Sequence, residues 1–234
     1  MVQFSDASYQ DIVLRNIQAD AESLKDGSLK EAIFSAPAGT TNIRAKVPAL
    51  TDFQLFLEKD CGFFHADRML KCTINLKRLK IDLDKNIRLE VKQTRDFKED
   101  IRRIALKSFP VDRRFNVDVE LNSETAGKII NTWVDEIDEC YVCFYKDIPV
   151  GFAQVVVSEP GVGEIKLAAV DADYRMTGAA VSLYSYAIKA ASQMEGVNKL
   201  VGWISSVNCA VMNLYASLGA SFSDPEDIFV KECK

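Results

Sequence analysis

Residues Ile165–Ala191 read IKLAAVDADYRMTGAAVSLYSYAIKAA. The run Gly163–Val170 has the apolar, β-branched character of a strand. From Thr177 to Met194 the period changes to that of a helix, with Val181, Tyr184, Ile188, Ala191 and Met194 recurring on one face. The joint between the two is the informative part. Gly178, Ala179 and Ala180 are small enough to let a ligand approach the backbone where the helix begins. The first N–H groups of a helix lack internal partners and lie at the positive end of its dipole, a setting that favours a phosphate or pyrophosphate. Arg175 adds a cation beside them. The plain alternative is a helix start whose small residues serve packing.

Upstream, Ile87–Val91 reads as a strand, and Asp96–Ser108 as a helix carrying Ile101, Ile104 and Ala105. A second helix is capped at Asn122-Ser123 and runs to about Asp138, with Ile129, Ile130, Trp133, Val134 and Ile137 on one face. Cys140–Tyr145 and Pro149–Ser158 are strands joined at Lys146-Asp147. Downstream come a strand at Lys199–Ile204, a helix at Asn208–Leu218 and a strand at Ile228–Glu232. The order β-α-α-β-β-β-α-β-α-β places hairpins before a βαβ unit, so a mixed sheet flanked by helices is expected.

The first 85 residues are read as a smaller, separate domain and residues 86–234 as the main one. Tyr9–Leu24 has helical spacing (Ile12, Val13, Ile17, Leu24), and Ala36–Thr41 is a loop. The charge run Lys77–Lys85 is read as a solvated linker between the domains. A weak repeat is also visible. Asn42–Leu76 gives strand, helix, Gly-aromatic turn, strand, and Lys199–Cys233 gives the same order, with Leu57 and Gly62-Phe63 set against Leu214, Gly219 and Phe222. Common βαβ grammar could produce this by chance; a reduced copy of the C-terminal unit is the alternative.

Bulk properties narrow the function. A chain of 234 residues with 48% hydrophobic and 27% charged residues is ordinary for a soluble α/β protein. A net charge of −5 argues against nucleic-acid binding, which needs a positive field. The start MVQFSDASYQ is unlike a signal peptide, and no apolar run approaches the ~20 residues of a membrane span. With six scattered cysteines, a reducing cytoplasm is the expected compartment and no membrane the expected partner. His65 is the only histidine, so multi-histidine metal sites are excluded and no metal is expected. Cys140 and Cys143, three apart on a strand, point to opposite faces and read as buried thiols.

The stretch R-M-T-G-A-A (Arg175–Ala180) resembles the Q/R-x-x-G-x-G/A coenzyme A pyrophosphate loop of the GNAT superfamily of acyl-CoA N-acyltransferases. The segment NCAVMNLYASLGASF (Asn208–Phe222) is similar to that superfamily's N-x-x-A-x-x-x-Y-x-x-x-G-F pattern. Asn208, Tyr215 and Gly219 match; Val211 replaces the usual Ala, and the aromatic arrives two residues late at Phe222, which puts the closing turn in doubt.

The resemblance implies an α/β (α+β) GNAT fold with a mixed, mostly antiparallel sheet flanked by helices, preceded by a partial GNAT-like N-terminal domain. It implies acetyl-CoA as acyl donor. The diphosphate would be held by Arg175, Met176, Thr177, Gly178, Ala179 and Ala180, and the pantetheine by the backbone of Ala168, Ala169 and Val170 and by Asn208. A backbone N–H in Ala168–Val170 would meet the oxyanion, and Tyr215, two helical turns after Asn208 on one face, would protonate the departing thiolate. A core tyrosine is the alternative for Tyr215. No general base stands out among Glu159, Glu164 and Asp171.

Two further stretches resemble the TDP-fucosamine N-acetyltransferase group, which acts on dTDP-4-amino-4,6-dideoxygalactose. One is Leu57, Gly62-Phe63, Asp67 and Leu76 ahead of the main domain; the other is SFPVDRRFNVD (Ser108–Asp118) followed by KIINTWV (Lys128–Val134). They imply a dTDP- or UDP-amino sugar acceptor, a role in polysaccharide biosynthesis, and acceptor contacts from Phe109, Arg113, Arg114, Phe115 and His65. A solvated Arg-Arg loop and another small-amine or peptide acceptor remain the alternatives, and a homodimer is left open.

Overall fold

The computed structural model describes residues 1–9, 12–109 and 123–233. Its strands are β1 (Gln3–Tyr9), β2 (Ile12–Gln18), β3 (Asn42–Pro48), β4 (Phe64–Asn75), β5 (Glu90–Thr94), β6 (Cys140–Tyr145), β7 (Ile148–Glu159), β8 (Val162–Val170), β9 (Lys199–Ser205) and β10 (Ser221–Glu232). Its helices are α1 (Ser28–Phe34), α2 (Thr51–Leu55, continued by a π turn at Phe56–Asp60), α3 (Leu83–Asn86), α4 (Lys98–Ser108), α5 (Ser123–Asp135), α6 (Ala179–Gln193) and α7 (Cys209–Ser217). All the strands join one sheet in the order β1-β2-β3-β10-β4-β9-β8-β7-β6-β5. Among the described residues only β2–β3 and β8–β9 are parallel pairs. This is the mixed, mostly antiparallel sheet flanked by helices that the sequence led us to expect.

Strand alternation sorts the core. Val142, Phe144 and Phe152 face α4 and α5, packing on Ile101, Ile104, Ile129, Ile130 and Val134. Tyr141, Cys143, Val150 and Ala153 face α6 and α7, packing on Leu183, Tyr184, Ile188, Tyr215 and Leu218. Cys140 and Cys143 are both buried, one in each cluster, as the spacing predicted. The Lys146-Asp147 turn has positive φ at both residues (49° and 64°), which matches the strand twist and closes the β6–β7 hairpin.

The first half departs from its sequence reading. Tyr9–Leu24 is not a helix; it contributes to the β1–β2 hairpin. Arg15, which looks like the polar side of a helix, is 3% exposed. It forms a two-point ion pair with Asp6, its cross-strand partner (2.8 and 2.9 Å), and donates to the Ala32 carbonyl at 3.0 Å. That pairing lets a charged residue point inward, so β-branched Ile12, Val13 and Ile17 keep the strand they prefer. The expected strand at Ile87–Val91 is shifted to Glu90–Thr94, because Asp82 caps α3 just upstream. The charge run is thus partly helical, and Asn86 and Arg88 are tied to α6 through Ser182.

Two series of elements repeat one topology. Hairpin β1–β2, parallel pair β2–β3 across α1, then α2 and β4, match hairpin β7–β8, parallel pair β8–β9 across α6, then α7 and β10. The last strand of each series crosses into the other: β10 lies between β3 and β4, and β4 between β10 and β9. The two central strands, β4 and β10, are antiparallel. The series differ where β2 and β3 stay paired over Leu14–Gln18, while β8 and β9 pair only over Val162–Glu164.

Candidate active site

Beyond Glu164 and Val201 the parallel strands β8 and β9 part. A register shift in β8, between Ile165 and Leu167, marks the point of departure. Ala168, Ala169 and Val170 pair with β7 on one side only, so their other edge faces the gap. Past β8, a 3₁₀ turn (Ala172–Thr177) leads to Gly178 and the start of α6. Gly178 has φ 83°, a conformation side chains resist, and a Cβ there would meet nothing within 4 Å. The glycine therefore serves the turn, and the space before it is open to a ligand. The Ser182 N–H bonds the Gly178 carbonyl, so the amides of Gly178 and Ala179–Val181 precede the helix's own ladder. Arg175 and Met176 are exposed at the same place, and Thr177 ties its hydroxyl to the Tyr174 carbonyl (2.6 Å).

A charge cluster the sequence did not reveal braces this turn. Asp171, 2% exposed, accepts from Arg103 (2.8 Å) and Lys107 (2.6 Å) of α4 and from the Asp173 N–H (3.1 Å). Burial alone would raise its carboxyl, but these bonds and charges hold it below the usual carboxylate value. α4 and the turn into α6 are locked together by that carboxylate.

On the face carrying α6, Asn208 caps α7 by accepting from the Val211 N–H (3.3 Å), which leaves its N–H₂ as the group to offer a ligand. Tyr215 is 3% exposed and meets Tyr184 edge to face at 5.2 Å. Its hydroxyl lies beneath β9, beside the Cys72 thiol and only 3.0 Å from where a Gly202 Cβ would stand; that thiol donates to the Gly202 carbonyl at 3.2 Å. Burial, with the neighbouring Tyr184 and Cys72, pushes the phenol well above its ordinary value, so it is a proton donor throughout the neutral range. Burial likewise raises the Cys72 thiol to about 11. The late aromatic, Phe222, sits in β10 opposite Cys72, because β10 begins at Ser221 rather than at Ile228.

His65 also lies on this face. Its Nε2 is 3.0 Å from Asp227, which Arg68 grips through two bonds (2.7 and 2.9 Å). Its ring stands edge-on to Phe229 at 5.2 Å. Burial would raise the Asp227 carboxyl; Arg68 and His65 bring it below the usual range.

On the opposite face, Phe109 packs edge-on against Trp133 (6.3 Å) and Phe152 (6.5 Å). Arg113, Arg114 and Phe115 lie outside the described residues. On this face β9, β4 and β10 present Trp203, Ala66, Met69, Ile228 and Val230, a cluster of strand residues alone. β1 comes into contact with α5, and these strand residues form a floor on the sheet face that carries α4 and α5. Asp67 and Ser205 stand on the floor, joined by a 2.9 Å hydrogen bond. Asp67 had entered the sequence reading only as part of a motif. Read as a central strand, Phe64–Asn75 would have placed it inward beside Met69, and an acid there is a signal.

A parallel strand pair that opens beside a glycine-led helix, with amides and a cation at the opening, defines a class of proteins that bind an anionic, extended ligand there. The Acetyltransferase (GNAT) family matches residues 98–220, and the chain belongs to that family. It is therefore an acetyltransferase enzyme of a family that draws its acyl group from acetyl-CoA. No curated protein matches the chain by sequence. Among solved structures, the fold is similar to a GCN5-related N-acetyltransferase from Sphaerobacter thermophilus (TM-score 0.62, 12% identity, 99% of this chain and 76% of that one). It is also similar to one from Kribbella flavida (0.61, 12%, 99% and 90%). A tandem GNAT protein from the clavulanic acid biosynthesis pathway is a third (0.60, 12%, 94% and 75%). None of the groups of His, Cys, Asp and Glu among the described residues is arranged to hold a metal ion, and no helix there is long and apolar enough to cross a membrane.

Proposed function

We propose that the protein moves an acetyl group from acetyl-CoA to the amine of a nucleotide-linked amino sugar. The observation that carries the donor half is the gap between β8 and β9 beside Gly178. Amides of Gly178, Ala179 and Ala180, with Arg175, Met176 and Thr177 at the turn, would cradle the diphosphate. The free edge of Ala168–Val170 would pair with the pantetheine amides, aided by the Asn208 N–H₂, and one of its N–H groups would face the oxyanion. The neutral amine attacks the thioester carbon, the C–S bond breaks, and Tyr215 gives the thiolate its proton and recovers one from the nascent amide nitrogen.

The acceptor half rests on the motif SFPVDRRFNVD and on the sheet face opposite α6. Arg113 and Arg114 would take the nucleotide phosphates, with Phe109 and Phe115 as further contacts; His65, bonded to Asp227 on the α6 face, lies across the sheet from them. Residues 1–85 are proposed as a reduced copy of the main domain, supported by the repeated topology; β2 and β3 stay zipped in it, so it offers no second opening. Another small amine or a peptide amine is the second reading, favoured by the carboxylate on the floor of that face. Thiol release from acetyl-CoA with dTDP- and UDP-amino sugars, spermidine and a lysine peptide tests both. Turnover with the amino sugars alone supports the first reading; turnover confined to spermidine or the peptide overturns it.

A further inference from the structure

Asp67 is 1% exposed. Its Oδ1 accepts from the Ser205 hydroxyl (2.9 Å) and the Arg68 N–H (2.8 Å). Its Oδ2 is buried and has no hydrogen-bond partner among the described residues. A carboxylate oxygen removed from water and left unpaired is costly, so such a group calls for a partner that arrives from outside. Nor does any ion pair among the described residues include it. On the same floor Lys46 pairs with Glu226, and Lys71 with Asp224 (3.7 Å). On the far face Arg68 and His65 are both given to Asp227. Lys46, Lys71 and Arg68 thus have acids of their own.

The surroundings specify the chemistry of the missing partner. Trp203, two residues before Ser205 on the same face, already holds an ammonium: Lys46 Nζ lies 3.6 Å from its ring centroid. Indole and carboxylate together suit a primary ammonium, which needs both a negative charge and a π face. Ser205 ends β9 and immediately precedes the turn to Asn208, at the mouth of the gap between β8 and β9. Asp67 thus sits across the sheet from Tyr215 and beside the opening.

We infer that Asp67, a residue of the N-terminal half, anchors a primary ammonium group of the acceptor, with Ser205 fixing the carboxylate and Trp203 walling the site. The inference rests on the acyltransferase reading above and deepens its small-amine branch: the acceptor enters on the α4 face and presents to β4 an ammonium group distinct from the neutral amine that attacks the thioester. Crossing of β4 into the C-terminal half then has a consequence for specificity, since the swapped strand brings the anchor.

The test uses the full chain saturated with coenzyme A, titrated with n-propylammonium and with the uncharged n-propanol, and read at the Trp203 indole N–H by NMR. Propylammonium is expected to shift that resonance saturably and propanol not. Asp67→Asn should weaken the ammonium by roughly tenfold or more, the factor expected for losing a hydrogen bond to a charged group, while coenzyme A binds as before. Equal behaviour of the two probes in the unaltered chain, which needs no variant to fold, overturns the inference. So does a folded Asp67→Asn chain that binds propylammonium undiminished. A chain that takes no coenzyme A would instead refute the acyltransferase reading itself.

Discussion

Replacing Gly202 by alanine puts one methyl group where β9 passes over Tyr215. The new carbon would stand 3.0 Å from the tyrosine hydroxyl and 3.3 Å from the Cys72 sulfur, inside the roughly 3.5–4.0 Å optimum for carbon contacts. Tyr215 is buried, and its ring is held edge-on by Tyr184, so the hydroxyl has little room to retreat. Overpacking of this kind costs about 1–3 kcal/mol. A loss near 2 kcal/mol corresponds to roughly 4–8 °C in Tm for a chain of this size. The catalytic expectation is separate. If Tyr215 is the acid, moving its hydroxyl lowers kcat while the KM for acetyl-CoA, set by the turn at Gly178 and the edge of β8, stays within about twofold. Thermal unfolding and thiol-release kinetics on the same preparation decide it. A Gly202→Ala protein with unchanged Tm and kcat would refute the close packing of Tyr215 beneath β9 and its part in the reaction.

Tyr215→Phe keeps the ring and removes the proton; it should lower kcat by about 10²–10⁴ while coenzyme A binding, followed by calorimetry, is unchanged. Gly178→Ala forces a side chain into φ 83°, costs about 1–2 kcal/mol, and should weaken coenzyme A in the same titration because the turn relaxes away from that geometry. Asp171 and Asp227 have folded pKa values depressed below the usual carboxylate value of 3.8. Their contribution is therefore fully present above that value and is lost as the pH falls through the lower, folded-state pKa. Urea midpoints measured between neutrality and strong acid should fall on the acid side, and Asp171→Asn with Asp227→Asn should flatten that fall.

The second half of the fold was legible because its signals are local. The strand–glycine–helix joint at Ile165–Ala191, the Lys146-Asp147 turn and the faces of α4 and α5 each declare themselves within a dozen residues. The first half was less so, since what decides it is distant. Arg15 can point inward only because Asp6 faces it across the hairpin, and a window on residues 9–24 sees a polar residue at helical spacing. The repeat between Asn42–Leu76 and Lys199–Cys233 was visible as grammar, but the exchange of β4 and β10 was not, because register between strands more than a hundred residues apart leaves no local trace. The same holds at the site. The cofactor turn and Tyr215 follow from contiguous motifs, whereas Asp171 with Arg103 and Lys107, Cys72 under Tyr215, and Asp67 with Ser205 are assembled from separate strands and helices.

Everything proposed for the donor depends on what fills the gap between β8 and β9. A crystal structure of the chain with coenzyme A measures it most directly. The account predicts a diphosphate on the amides that open α6 and a pantetheine arm along Ala168–Val170, ending near the Tyr215 hydroxyl. Coenzyme A bound elsewhere, or a β8–β9 pair that zips shut to Val170, would contradict it.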